Sequence, residues 1–191
     1  MSRLNGTNTC FSGGAKGADT LFGLYAYAAN HTVYHYSFDG HRIENTFRRI
    51  LTGSQLQIAD PHILRANDIL GRGNFKKYSP YVKNLLRRNY WQIKDSKTVY
   101  AVGNMNYRNA IQGGTAWAVQ MAIDKGIPIY FFDQILKKWF KHEGSWAEMD
   151  NLPIPPHGPY TGIGSRTLTD TGKQAIKELY NVNRSYDLRY C

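Results

Sequence analysis

Three β-prone segments of this chain each lead into a glycine-rich turn and then into a helical pattern. The first turn spans residues 12–19, the second 113–115 and the third 162–166. This order of elements suits an anion, because glycine lets the backbone approach a phosphate and the N–H groups of a helix start favour negative charge. Strands alternating with helices predict an α/β fold with a doubly wound, mostly parallel sheet. In such sheets ligands bind outside the carboxyl ends of the strands, so we expect the three turns to meet at one edge.

No single turn has a diagnostic spacing. The first turn lacks the G-x-x-x-x-G-K-[ST] pattern of a P-loop and the G-x-G-x-x-G pattern of a dinucleotide fingerprint. Each turn taken alone is also compatible with a plain tight turn. Three turns that converge on one sheet edge are harder to explain by turn geometry, and they favour a phosphate-containing ligand.

The rest of the chain predicts one domain over residues 1–191, which suits its length. Residues 18–30 are expected to be helical, 33–38 a strand, and 97–103 a strand buried on both faces. Residues 43–93 have helical spacing and no convincing strand, which predicts a helical insertion in the middle of the chain. Residues 134–159, rich in proline and aromatics, predict a long ordered loop. The polar tail after residue 181 is expected to fray or to cap the core.

Charge and cysteine content narrow the function classes. The net charge of +10 suits anionic partners such as nucleotides and nucleic acid. The basic residues are dispersed in pairs such as Arg87-Arg88, which are typical of solvated helix faces, so nucleic acid is the less favoured partner. The two cysteines, Cys10 and Cys191, form no disulfide framework or metal spacing, which fits a reducing cytosol. With no signal pattern and no membrane-length apolar run, we expect a cytoplasmic protein with no membrane partner and no cofactor.

The candidate ligand-binding residues belong to the three turns and to the loop after the central strand. They are Ser12, Gly13, Gly14, Ala15, Lys16, Asp19, Asn104, Gly113, Gly114, Thr115, Gly164, Ser165 and Arg166. The backbone N–H groups of Gly13, Gly14 and Ala15 are the first candidates for phosphate contact. The Arg166 guanidinium matches phosphate geometry, although a surface ion pair is the alternative.

The other candidates each have two interpretations. Lys16 either contributes charge to the site or is a solvated loop lysine. Asp19 either favours the helix dipole or bonds a ribose hydroxyl or the glycine-rich loop. Thr115 is either a helix N-cap or a phosphate ligand, and Asn104 could contact a base or ribose. Trp117 could stack on a base, although packing is the more frequent role.

With these turns, the chain resembles the SLOG superfamily of Rossmann-like nucleotide-binding proteins. That group includes the LOG cytokinin-activating phosphoribohydrolases, the DprA DNA-processing proteins and the YpsA-like proteins of bacteria and phages. The matching motifs are GIGSR at residues 162–166, SGGAKGAD at 12–19 and GGT at 113–115. In the ordinary family the GIGSR-like strand comes first, whereas here it comes last. The order looks like the circularly permuted YpsA-like branch, which implies a circularly permuted Rossmann-like fold.

The same resemblance identifies no catalytic residue in this chain. LOG-type enzymes carry G-G-x-G-T-x-x-E, but the position three after Thr115 is Ala118. Asp19, Asp39 and Asp133 are candidate carboxylates, and the spacing selects none of them. Neither a nucleophile–base pair nor a metal-ligand set is present, so we assign no catalytic and no metal residue.

The resemblance therefore implies binding of a nucleotide or an ADP-ribose-like ligand, for sensing or sequestration. A phage-encoded sponge that counters a nucleotide-signalled defence is one such role, in the cytoplasm of a bacterial or phage-infected cell. One alternative is a LOG-like hydrolase that cleaves a nucleotide N-glycosidic bond. Another is a DprA-like nucleic-acid-binding protein. Assembly into homo-oligomers is also implied.

Overall fold

The computed structural model describes residues 8–41, 43 and 47–180, and its strands form one sheet. Their bounds are β1 Thr9–Ser12, β2 Thr32–Phe38, β3 Arg48–Leu51, β4 Thr98–Gly103, β5 Ile129–Asp133, β6 Lys138–His142, β7 Trp146–Glu148 and β8 Pro159–Gly164. The order across the sheet is β3-β2-β1-β8-β4-β5-β6-β7. The strands from β3 to β5 in this order are parallel, whereas β6 and β7 are antiparallel. The prediction of an α/β fold with a mostly parallel sheet is confirmed.

Helices cover both faces of the sheet. They are α1 Ala18–Ala28, α2 Gly53–Gln57, α3 Asp60–Ile69, α4 Pro80–Ile93, α5 Thr115–Asp124 and α6 Asp170–Leu179, with a 3-10 turn at Phe75–Lys77. Helices α1 and α6 pack on one face, and α3, α4 and α5 pack together on the other. Their starts follow local sequence, because Ser79 and Thr169 each accept a backbone N–H as an N-cap. In the described parts of the chain, no helix is long and apolar enough to cross a membrane.

The central strands are apolar throughout because helices bury both of their faces. Along β4, Tyr100 and Val102 belong to the core beneath α1 and α6, whereas Val99 and Ala101 belong to the core beneath α5. This alternation follows from the two-residue period of a strand. The continuous apolar sequence of 97–103 is thus explained by its position in the middle of the sheet.

Two sequence-based predictions are wrong. Residues 43–93 were expected to contain no strand, but β3 lies there and pairs with β2 in parallel. Residues 134–159 were expected to be a loop, but they contain β6 and β7, which continue the sheet beyond β5 as an antiparallel meander. All three strands are short and lie toward the edges, where exposed polar residues interrupt the apolar pattern that marks a central strand. The tail after residue 181 lies outside the described residues, as does Cys191.

Candidate functional site

The first and third turns are joined by direct hydrogen bonds. The Ala18 N–H donates to the Ser165 carbonyl at 3.0 Å, and the Gly164 N–H donates to Asp19 Oδ1 at 3.1 Å. Gly17, between them, has φ +99, and a Cβ there would lie 2.4 Å from the Ser165 carbonyl oxygen. Glycine is required here both for the backbone conformation and for the close approach of the two turns.

A cavity of about 680 Å³ lies at the carboxyl ends of β4 and β8. The strand order reverses at β8. On one side of it lie β1, β2 and β3 in succession, and on the other side lie β4 and β5. All three turns contribute to the walls of the cavity, and helix α4 lies across it. Its size is within the range of small-molecule sites, and its place is where doubly wound sheets bind ligands.

Most of the candidate residues line this cavity. Those that do are Ala15, Asp19, Asn104, Gly113, Gly114, Thr115, Gly164, Ser165 and Arg166. Ser12 is buried away from it, and its hydroxyl donates to the Asp19 carbonyl at 3.0 Å. Gly13 and Gly14 are buried behind neighbouring side chains. Lys16 is exposed and lines a second, more open depression together with Thr20, Arg166 and Lys173.

Asp19 and Arg88 form a buried ion pair at the base of the cavity. Both terminal nitrogens of Arg88 lie 3.4 Å from Asp19 Oδ2, and the two side chains are only 7% and 6% exposed. Burial raises the pKa of Asp19 and lowers the pKa of Arg88, while each partner's charge opposes the other's shift. Arg88 Nε has no hydrogen-bond partner among the described residues. The guanidinium packs on Gly13, where a Cβ would lie 1.3 Å from Nη1.

Arg88 departs from the sequence-based interpretation of the Arg87-Arg88 pair as a solvated face. Only Arg87 is near the surface, where it bonds both carboxylate oxygens of Asp60 at 2.6 and 2.8 Å. A signal for the difference exists in the sequence of α4. Arg88 and Gln92 are four residues apart and share the buried side of the helix with Leu86 and Ile93, so polar residues stand at core spacing. Polar residues at such positions indicate either an internal partner or a site.

The second turn provides a helix start without a side-chain cap. Gly114 is the N-cap of α5, and no side chain of the described residues caps the first N–H groups there. Asn89 of α4 donates to the Gly114 carbonyl at 3.3 Å and so fixes the turn against the helix that crosses the cavity. The missing side-chain cap and the positive end of the helix dipole make this a suitable anion-binding position in the cavity.

The side of the cavity beneath α4 is apolar and aromatic. Val82, Leu85 and Leu86 line it together with Tyr78 and Trp117. The ring of Tyr78 meets that of Trp117 edge-on with centroids 6.5 Å apart. Trp117 is therefore both a packing residue and part of the cavity wall. A planar heterocycle fits such a surface.

Of the three candidate carboxylates, only Asp19 lines the cavity. Asp133 accepts backbone N–H groups of Met105, Ile135 and Leu136 at 2.7 to 3.0 Å, which fixes the loops after β4 and β5. Asp39 is exposed on the turn after β2. Among the residues that the structure describes, no three His, Cys, Asp or Glu side chains are grouped so that they could hold a metal ion.

His35, His41 and His62 do not line the cavity. His35 is fully buried beneath the first turn, and burial together with the Arg88 charge lowers its pKa to about 4. His41 is buried, bonds Ser37 Oγ at 3.1 Å, and has a pKa lowered to about 4, mainly by burial. His62 is exposed and stacks on Tyr90. In the structure these three histidines thus contribute to packing.

The chain was compared with protein-family models, with curated proteins and with solved structures, and none of the three comparisons gave a match.

Proposed function

We propose that the protein binds a nucleotide or a nucleotide-derived ligand, such as an ADP-ribose compound, in the cavity of about 680 Å³. The observation that carries the proposal is the joint lining of one cavity by three glycine turns, by arginine side chains and by an aromatic wall. The uncapped start of α5 and the Arg166 guanidinium suit phosphate oxygens. The surface formed by Tyr78, Trp117 and α4 suits a base.

The topology supports membership of the circularly permuted branch of the SLOG superfamily. Counted from β8 as the first strand, the parallel strands β3-β2-β1-β8-β4-β5 have the order 4-3-2-1-5-6, which is the order 3-2-1-4-5 of a doubly wound nucleotide-binding sheet with β3 added at one edge. The end of α6 also lies near the start of β1. Tyr180 bonds the Tyr160 hydroxyl at 3.1 Å, and Tyr160 is the β-sheet partner of Cys10. A chain whose original connection ran from α6 to β1 would have this arrangement, with α2 to α4 as its helical insertion.

Binding without turnover is the form of this function that we favour. The position of the LOG-type glutamate is Ala118, which is fully buried in the core. Asp133 is occupied by backbone N–H groups, and Asp19 is paired with Arg88. We propose that such binding serves to sense or sequester a nucleotide signal in the cytoplasm, and a phage-encoded sponge is one such role. The proposal includes assembly into homo-oligomers.

The second candidate is a nucleotide N-glycosidic hydrolase. It is favoured by one observation, the presence of the Asp19 carboxyl on the cavity wall with a pKa raised by burial. A carboxyl with a raised pKa can serve as a general acid or base.

The test is calorimetric titration of the full chain with AMP, ADP, NAD and ADP-ribose, followed by chromatography of the recovered ligand. We expect at least one of them to bind and to be recovered intact. Arg166→Ala should weaken that binding by about tenfold or more, because a charge-assisted contact is lost. Arg65→Ala is the matched control, since Arg65 lies on α3 and is 69% exposed. Release of free base would establish the hydrolase instead. Salt-sensitive DNA binding without affinity for any of the four ligands would contradict both functions.

A further inference from the structure

The carboxylate of Asp19 occupies the place where the sequence predicts a phosphate. It accepts the Gly164 N–H of the third turn, and the backbone of Ala15 in the first turn bonds it as well. Arg88 reaches the same carboxylate from α4. Of the first turn's candidate phosphate donors, the Ala15 N–H is therefore already paired with an anion of the protein itself, and Arg88 covers Gly13.

This internal anion acts directly on any ligand charge in the cavity. Asp19 is 4% exposed, so its field is weakly screened by solvent. A phosphate placed at the first turn would lose the donors held by Asp19 and would be repelled by its charge. The second turn and Arg166 have no such competitor among the described residues that line the cavity.

The charges around the cavity give a second constraint on the ligand. Among the described residues, the charged side chains on its wall are those of Arg72, Arg88, Arg166 and Asp19. Three guanidinium groups against one carboxylate leave an excess of two positive charges. A ligand with about two negative charges balances them, whereas a triphosphate with its larger charge does not.

We infer that Asp19 is a specificity-determining residue, which keeps ligand phosphate away from the first turn and favours ligands with about two negative charges. The ligand class is a nucleoside monophosphate or a diphosphate diester of the ADP-ribose type, with its anionic group at the second turn and Arg166. This inference rests on the proposed function and names the ligand class of the same site.

The test compares adenosine, AMP, ADP and ATP on the wild-type protein by titration calorimetry in magnesium-free buffer at fixed salt. We expect AMP to bind about tenfold or more tightly than adenosine, and ATP to bind no more tightly than AMP. An affinity that rises steadily from AMP through ADP to ATP would overturn the inference. This measurement needs no variant, so it decides the question even if a variant fails to fold.

Asp19→Asn then isolates the carboxylate. Asparagine has the same shape, and its carbonyl oxygen still accepts the Gly164 N–H. We expect the affinity for ATP relative to AMP to rise by about tenfold, because the repulsive charge is lost. Asp39→Asn is the matched control on an exposed turn and should leave the ratio unchanged. A folded Asp19→Asn protein with the wild-type ratio would overturn the inference.

The result also separates this inference from the proposed function. If AMP and ADP-ribose bind but the charge order is not as expected, nucleotide binding holds and the role of Asp19 is wrong. If neither ligand binds the wild-type protein, the proposed function itself fails, and the inference fails with it.

Discussion

His35 should make the stability of the protein strongly dependent on pH. Its ring is fully buried under the first turn, and a Cβ at Gly23 would lie 2.4 Å from Nε2. Neither ring nitrogen has a hydrogen-bond partner among the described residues. Burial, which is the main cause, and the positive charge of Arg88 together lower the pKa of His35 to about 4. The folded protein therefore holds this ring neutral.

The size of the effect follows from the difference between the folded and unfolded states. In the unfolded chain a histidine has its ordinary pKa of 6.5, so between pH 6.5 and about 4 the unfolded state binds more protons. The free energy of unfolding is then highest above pH 6.5 and falls as the pH drops through this window. At about 1.4 kcal/mol per pH unit, the whole window corresponds to about 3 kcal/mol.

The assay is urea unfolding followed by circular dichroism at pH 7.5 and at pH 4.5, on the wild-type protein and on His35→Leu. Leucine fills the apolar site without a proton to bind, so the variant should lose about 2–3 kcal/mol less stability on acidification than the wild type. His62→Leu, on the exposed surface of α3, is the control and should behave like the wild type. Equal losses in the wild type and His35→Leu would refute the reasoning.

Three further changes test the packing around the site by the same urea unfolding at neutral pH. Arg88→Met should cost about 3–5 kcal/mol because it leaves the Asp19 carboxylate buried and unpaired, and Asp19→Asn added to it should restore most of that loss; no restoration would show that the pair is not coupled. Gly17→Ala should cost about 1–3 kcal/mol or more, because φ is +99 and the new Cβ meets the Ser165 carbonyl; a neutral result would contradict the geometry. Asp133→Asn should cost about 1–3 kcal/mol, since backbone N–H groups lose a charged acceptor; no loss would mean that these bonds are not important for stability.

The meeting of the three turns is predictable from the sequence because it needs only the parallel topology. Strands that alternate with helices have their carboxyl ends at one edge, so residues 12–19, 113–115 and 162–166 come together whatever the details of the core. The structure brings nine of the thirteen candidate residues to one cavity. The edges of the sheet were harder to predict. In β3, Arg48 and Arg49 precede Ile50 and Leu51, a pattern that fits a helix face as well as a short strand.

What the sequence does not reveal is which side chain from a distant element reaches a turn. The first turn has the composition of a phosphate site, yet Arg88 covers Gly13, and the Asp19 carboxylate accepts the neighbouring Gly164 N–H. Arg88 is separated from the first turn by 69 residues, and its place depends on how α4 packs on β1 and β8. The local sequence pattern thus identifies the glycine-rich turn, whereas tertiary packing decides which side chains lie against it.

The charge on the outer strands bears on how copies of this protein can associate. Among the described strands, β3 and β7 end the sheet. Two copies paired through β3 would bring two sets of Arg48 and Arg49 side by side, which repel each other. At the other end β7 has only three residues, and Glu148 there is already paired with Lys138. Short or charged outer strands oppose the joining of sheets. The outer strands therefore oppose a continuous sheet across copies of this protein and leave its helical faces as the surfaces for association.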